Sequence, residues 1–249
     1  MQEKLSQYSK GAGCGCKIPP AVLTEILSPR NPLVHPSMIP VSGREDAAVW
    51  DLGNGSLLLS TTDFFTPVVD DPYIYAMGGK PLFALAILGW DIEHIGTSAA
   101  SKVISGAEDC LKEINVPLTG GHSIENGEPF FGLSVTGIVP AAHLKQNSTA
   151  KPDDLLYLTK PLGSGIISSA LKAGKLSMED PLVKDWVTVL TTVNAIGEVL
   201  GTLPYITAMT DVTGFGLFGH LLEICGTELD AELMVADLPV FPDLQPLID

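Results

Sequence analysis

Residues 47–63 read Ala47-Ala-Val-Trp-Asp-Leu-Gly-Asn-Gly-Ser-Leu-Leu-Leu-Ser-Thr-Thr-Asp63. Two short apolar runs, 47–50 and 57–59, flank Asn54-Gly55. That dipeptide tolerates positive φ at both positions, so it is a strong signal for a tight β-hairpin. The second run ends in polar Thr61-Thr62-Asp63, where a strand is expected to finish. Downstream, 83–88 is a short apolar run of buried-strand type, and Ala99, Val103, Ala107, Leu111 and Ile114 recur at helical spacing. Val116-Pro-Leu118 returns to extended chain and leads into an expected glycine turn at Gly120-Gly-His-Ser123. From Phe131 to Val135 apolar residues alternate with Gly132 and Ser134, as in an antiparallel strand with one wet face. The hairpin and the alternation together predict an α+β fold with a mostly antiparallel sheet, ending near Pro140.

Outside that region, Pro19-Pro20 followed by Ala21, Val22, Leu23, Ile26 and Leu27 predicts a short helix that stops before Pro29. Residues 1–18 hold Gly11, Gly13 and Gly15 around Cys14 and Cys16, which predicts a mobile loop. A polar connector over 143–154 reads as a linker to a second α+β domain. There, strands are expected over 155–158 and 206–209, and helices over 166–173, 186–200 and 217–225. The organisation expected is therefore a catalytic loop over 1–18, an N-terminal domain over 19–142 and an incomplete C-terminal domain over 150–249.

Composition narrows the function. The 249 residues carry 14 Lys+Arg against 29 Asp+Glu, a formal net charge of -15, with 45% hydrophobic residues. A chain this acidic, with no basic cluster, repels phosphate backbones, so no nucleic-acid partner is expected and any phosphate ligand would need a cation. No apolar run approaches the roughly 20 residues of a membrane span, and Met-Gln-Glu-Lys-Leu-Ser-Gln-Tyr at the start lacks a signal-peptide apolar core, so a cytoplasmic location is expected.

Asp46, Asp63 and Asp211 fall where predicted strands begin or end. Singly each is an ordinary turn or cap residue; converging, they would suit Mg²⁺, a hard cation that takes carboxylates, phosphate oxygens and water. Gly120–Ser123 and Thr210-Asp-Val-Thr-Gly-Phe-Gly216 are glycine-rich segments whose backbone N–H groups could cradle phosphate, although neither has the P-loop or Rossmann spacing. Cys14-Gly-Cys-Lys17 lacks the second cysteine pair of a zinc site, and a Cys14–Cys16 disulfide would close a poor ring. A thiolate beside Lys17, which can also clamp a phosphate, fits sulfur or selenium chemistry at a nucleotide.

These blocks carry a family resemblance. Gln7-Tyr-Ser-Lys-Gly-Ala-Gly-Cys-Gly-Cys-Lys17, Arg44-Glu-Asp-Ala-Ala-Val49, Ser60-Thr-Thr-Asp-Phe-Phe65, Ala76-Met-Gly-Gly-Lys-Pro81, Ala86-Ile-Leu-Gly-Trp90, Gly120-Gly-His-Ser123 and Met209-Thr-Asp-Val-Thr-Gly-Phe-Gly216 resemble the selenophosphate synthetase (selenide, water dikinase) family of the PurM-like ATP-binding superfamily. The resemblance implies that ATP, selenide and water become selenophosphate, AMP and phosphate, for selenocysteine and selenouridine synthesis. By motif, Cys14 and Lys17 match catalytic positions, and Asp46 and Asp211 match Mg²⁺ ligands. Lys17, Asp63, Gly43-Arg44-Glu45 and Gly121-His122-Ser123 match nucleotide-contacting positions, the last of these reached from a dimer partner, which implies a homodimer. Two departures stand out. The family's Asn-Ala-x-Ser-Asp helix has no counterpart after Tyr73, and the family chain continues beyond Asp249. The competing readings are a shortened nucleotide-binding paralogue acting by dimerisation and another PurM-like enzyme that uses ATP on a different nucleophile.

Overall fold

The structure is a computed structural model describing residues 22, 25–26, 35–39, 46–65 and 77–248. Val22, Glu25 and Ile26 are helical, within the helix expected after Pro19-Pro20. The 1–18 loop lies outside the described residues, as does the departure after Tyr73.

The Asn54-Gly55 hairpin forms. β1 (Ala48–Asp51) pairs antiparallel with β2 (Ser56–Phe65), and Asn54 Oδ1 accepts the Ser56 N–H at 3.1 Å across the turn. Gly53 and Gly55 take φ of 75° and 83°, which an L side chain resists. The second strand runs past the expected stop, to Phe65, because β5 (Phe130–Pro140) lines it along its whole length, from Ser56↔Pro140 to Phe65↔Phe131. β3 (Lys80–Trp90) pairs antiparallel with β5, and β4 (Leu118–Glu125) pairs parallel with β3. The sheet order is β1-β2-β5-β3-β4, so the first and last strands form opposite edges.

One correction concerns Gly120–Ser123. It is not a turn but the middle of β4. Glycine is needed there for strand approach, since a Cβ on Gly121 would run into the Ala86 carbonyl oxygen of β3.

One sheet face makes the core. Leu57, Leu59, Val135, Val139 and Ala84 are buried beneath α1 (Thr97–Glu113), which contributes Ala107 and Leu111 at helical spacing. The other face carries Trp50, Phe64, Leu85 and Ile124, all substantially exposed.

The C-terminal half departs more from expectation. Its core gathers Ile167 of α2 (Ser164–Lys172), Val183 and Trp186 of α3 (Pro181–Thr191), and Phe241 and Leu244 ahead of α6 (Gln245–Ile248). The strands expected over 155–158 and 206–209 form no ladder with any described residue, and among the described residues of this half an isolated Leu162↔Val240 bridge is the β pairing. An apolar run becomes a strand only where a neighbour supplies its hydrogen bonds. The helix expected over 186–200 is two helices, α3 and α4 (Ile196–Thr202). Thr191 and Thr192 hydroxyls turn back onto the Val187 and Thr188 carbonyls, at 2.9 and 2.8 Å, and with β-branched Val193 they break the helix.

The connector over 143–154 is more than a linker. Lys145 is buried; its backbone N–H donates to the Met77 carbonyl and its ammonium to the Leu203 carbonyl, both at 3.2 Å. Beside it, Gly78 and Gly201 meet backbone to backbone, and a Cβ on Gly201 would lie 2.7 Å from the Gly78 Cα. Met77-Gly78-Gly79 therefore seats one half of the molecule on α4 of the other. No helix among the described residues is long and apolar enough to cross a membrane.

Candidate functional site

Asp46 lies two residues before β1, and the hairpin fixes its position. The Thr61 hydroxyl of β2 donates to the Asp46 backbone carbonyl at 3.0 Å. Along the inner face of β2 the side chains pass from Leu57 and Leu59 to Thr61 and half-buried Asp63, so the apolar core gives way to a polar end at this point.

The C-terminal half meets that polar end through Thr210. Its hydroxyl lies 3.3 Å from Asp46 Oδ1, 164 positions away in sequence, and 3.4 Å from the backbone carbonyl oxygen of Asp211. Asp46 Oδ2 and both carboxylate oxygens of Asp211 are shielded from solvent. The Asp211 contact is through its backbone carbonyl, so the Thr210 hydroxyl ties the Asp46 carboxylate to the segment that carries Asp211. This donor set, hard oxygens from two sides with no sulfur or nitrogen, fits Mg²⁺. Among the described residues, no group of three His, Cys, Asp or Glu side chains comes together as a metal site.

The other expected residues divide clearly. Asp63 shares the inner face with Thr61, two positions further along β2 and opposite Leu133 of β5. Gly121, His122 and Ser123 are exposed on β4, at the sheet edge opposite β1, so within one chain they stand apart from Asp46. Cys14, Lys17, Gly43, Arg44 and Glu45 lie outside the described residues. Thr61 and Thr210 were missed by sequence reasoning. Their signal was available, because each is a hydroxyl residue in a segment that ends in one of the expected aspartates.

Comparison with known proteins agrees with this architecture. Residues 44–139 match the model of the AIR synthase related protein, N-terminal domain, and residues 151–248 match that of its C-terminal domain. A selenide, water dikinase from Aeromonas hydrophila is 49% identical, with 97% of this chain and 74% of that protein covered. One from a Sulfurovum species is 45% identical over 97% of this chain and 75% of its own length. Among solved structures, a Thermus thermophilus protein superposes with a TM-score of 0.70 at 19% identity, covering 92% of this chain and 77% of its own, a likeness of fold.

Proposed function

The chain belongs to the selenide, water dikinase family, and we infer from that membership that it is an ATP-dependent phosphotransferase making selenophosphate from selenide and water, with release of AMP and phosphate. The observation that carries the inference to a site is the Thr210 hydroxyl, which bonds the Asp46 carboxylate and the backbone carbonyl of neighbouring Asp211. We propose that this pair holds Mg²⁺. The bound cation would offset carboxylate–phosphate repulsion and the charge that develops on the transferring phosphoryl group.

The chain's own groups then have distinct tasks. Asp46 and Asp211 present oxygens from the two halves, and Asp63 supplies a further carboxylate on the same sheet face. Gly43-Arg44-Glu45 directly precedes Asp46 and is assigned to the nucleotide. Cys14 is assigned the soft thiolate and Lys17 the phosphate clamp that also lowers the thiol's pKa. Thiolate chemistry needs a reducing compartment, which favours the cytoplasm. We propose that 1–18 acts as the catalytic loop, 19–142 as the ATP-binding and dimer-forming unit and 150–249 as the second unit of the site.

Homodimer formation is supported by the uncovered sheet face, where Phe64 is 59% and Ile124 50% exposed, and by the exposed edge of β4. A dimer would let Gly121-His122-Ser123 of each copy serve the other's nucleotide. Sedimentation of Leu85→Glu tests this, with a shift from dimer to monomer expected and an unchanged dimer opposing it.

The activity itself is tested by AMP formation that requires both selenide and Mg²⁺. Cys14→Ser is expected to abolish it while leaving the fold unchanged. AMP formed equally well without selenide would contradict the assignment.

A further inference from the structure

We propose that His220, working with Glu223, is a positioning residue that sets where the 211–213 segment delivers the Asp211 carboxylate. The inference rests on the reading of Asp211 as a Mg²⁺ ligand.

His220 stands on the second turn of α5 (Gly216–Cys225) and is 5% exposed. Its Nε2 lies 3.1 Å from the Thr213 backbone nitrogen, whose N–H donates to it, and 3.2 Å from the Thr213 hydroxyl. An amide donor requires a lone pair on Nε2, so the ring proton sits on Nδ1. Nδ1 in turn donates to Glu223 Oε2 at 3.0 Å, one helical turn further on, and both side chains are withdrawn from water. The Phe215 ring packs beside the imidazole, with centroids 5.8 Å apart.

A buried histidine is commonly just a satisfied core residue. What sets this one apart is its partner. Its Nε2 takes the backbone N–H of Thr213, two residues from Asp211, so it grips the loop itself. Gly216, with φ of 68°, makes the left-handed turn that leads the loop into the helix, which brings the imidazole back against Thr213. Residues that orient a metal ligand from behind commonly change metal affinity by roughly 10–100-fold when removed.

The test uses the full chain and Mn²⁺ as the probe, titrated in the presence of a non-hydrolysable ATP analogue. His220→Leu, which removes both hydrogen bonds, is expected to weaken Mn²⁺ binding by about ten-fold. His220→Gln keeps one acceptor and one donor and is expected to recover most of the loss. Independently of folding in either variant, long-range ¹H–¹⁵N correlation on the unmodified protein should show His220 protonated at Nδ1 alone. A proton on Nε2, or wild-type Mn²⁺ affinity in His220→Leu, overturns the proposal. Asp211→Asn separates the two ideas. If it weakens Mn²⁺ binding while His220→Leu does not, only the positioning role fails; if Asp211→Asn itself binds as wild type, the metal reading fails and takes the positioning role with it.

Discussion

Asp46 and Asp211 are each unremarkable in sequence, and their chemistry comes from being brought together. Thr210 bonds the Asp46 carboxylate and the Asp211 backbone, so the proposed site needs the two halves docked. An Asn at 46 keeps an acceptor for the Thr210 hydroxyl, so the change should not weaken the fold, whereas it should withdraw several kcal/mol of charge stabilisation from the reaction. Asp46→Asn is therefore expected to lower kcat by about two orders of magnitude and to raise the Mg²⁺ requirement, with an unfolding midpoint at or above that of the wild type. Steady-state kinetics beside a urea titration would check it, and a parallel loss of midpoint and activity would mean that Asp46 is only a structural turn residue.

At the scale of elements, the parallel β3–β4 pair depends on a missing side chain. Gly121→Ala would force a Cβ against the Ala86 carbonyl, and a loss of about 1–3 kcal/mol in urea unfolding is expected. This glycine also shows where sequence reading ran out. Asn54-Gly55 named its hairpin because the signal is local, and the spacing of Ala99 to Ile114 named its helix for the same reason. Gly120-Gly121 looked like a turn because nothing in the chain announces that another strand will pass that closely. The apolar runs at 155–158 and 206–209 show the converse: a β-like composition yields a ladder only when a partner is alongside. These two runs are nonetheless tied. Asp154 accepts from the Thr207 hydroxyl and, at 2.8 Å, from the Lys151 N–H, and these bonds, the Thr207 one foremost, hold its pKa below the ordinary carboxylate value. A lowered folded pKa gives stability that is present above the unfolded value, near pH 4, and is lost as pH falls through the folded one. The difference in melting temperature between wild type and Asp154→Asn should thus be constant above about pH 5 and close below about pH 4. A difference that persists to the most acidic pH would oppose this account.

For the whole molecule, the decisive feature is the seam between the halves. Met77-Gly78-Gly79 lies against Gly201, with buried Lys145 bonded to both Met77 and Leu203. The sequence displayed these glycines as a family block without showing that they are a docking surface, because their partner lies more than 120 residues away. Likewise the candidate aspartates were legible one by one, while the Thr210 bond that ties Asp46 to the 210–211 segment was a property of the folded chain. Gly201→Ala should separate the backbones by overpacking, costing about 1–3 kcal/mol and impairing Mg²⁺ dependence although residue 201 touches no ligand. Full stability and unchanged kinetics in that variant would show that the seam does not govern the site.

The central claim, that docking of the two halves builds a metal-dependent selenide, water dikinase site from Asp46 and Asp211, is tested most directly by AMP production against Mg²⁺ concentration for the wild type and Asp211→Asn. The account predicts selenide-dependent AMP from the wild type and a curve displaced to much higher Mg²⁺, with a reduced plateau, for the variant. Coincident curves would contradict it.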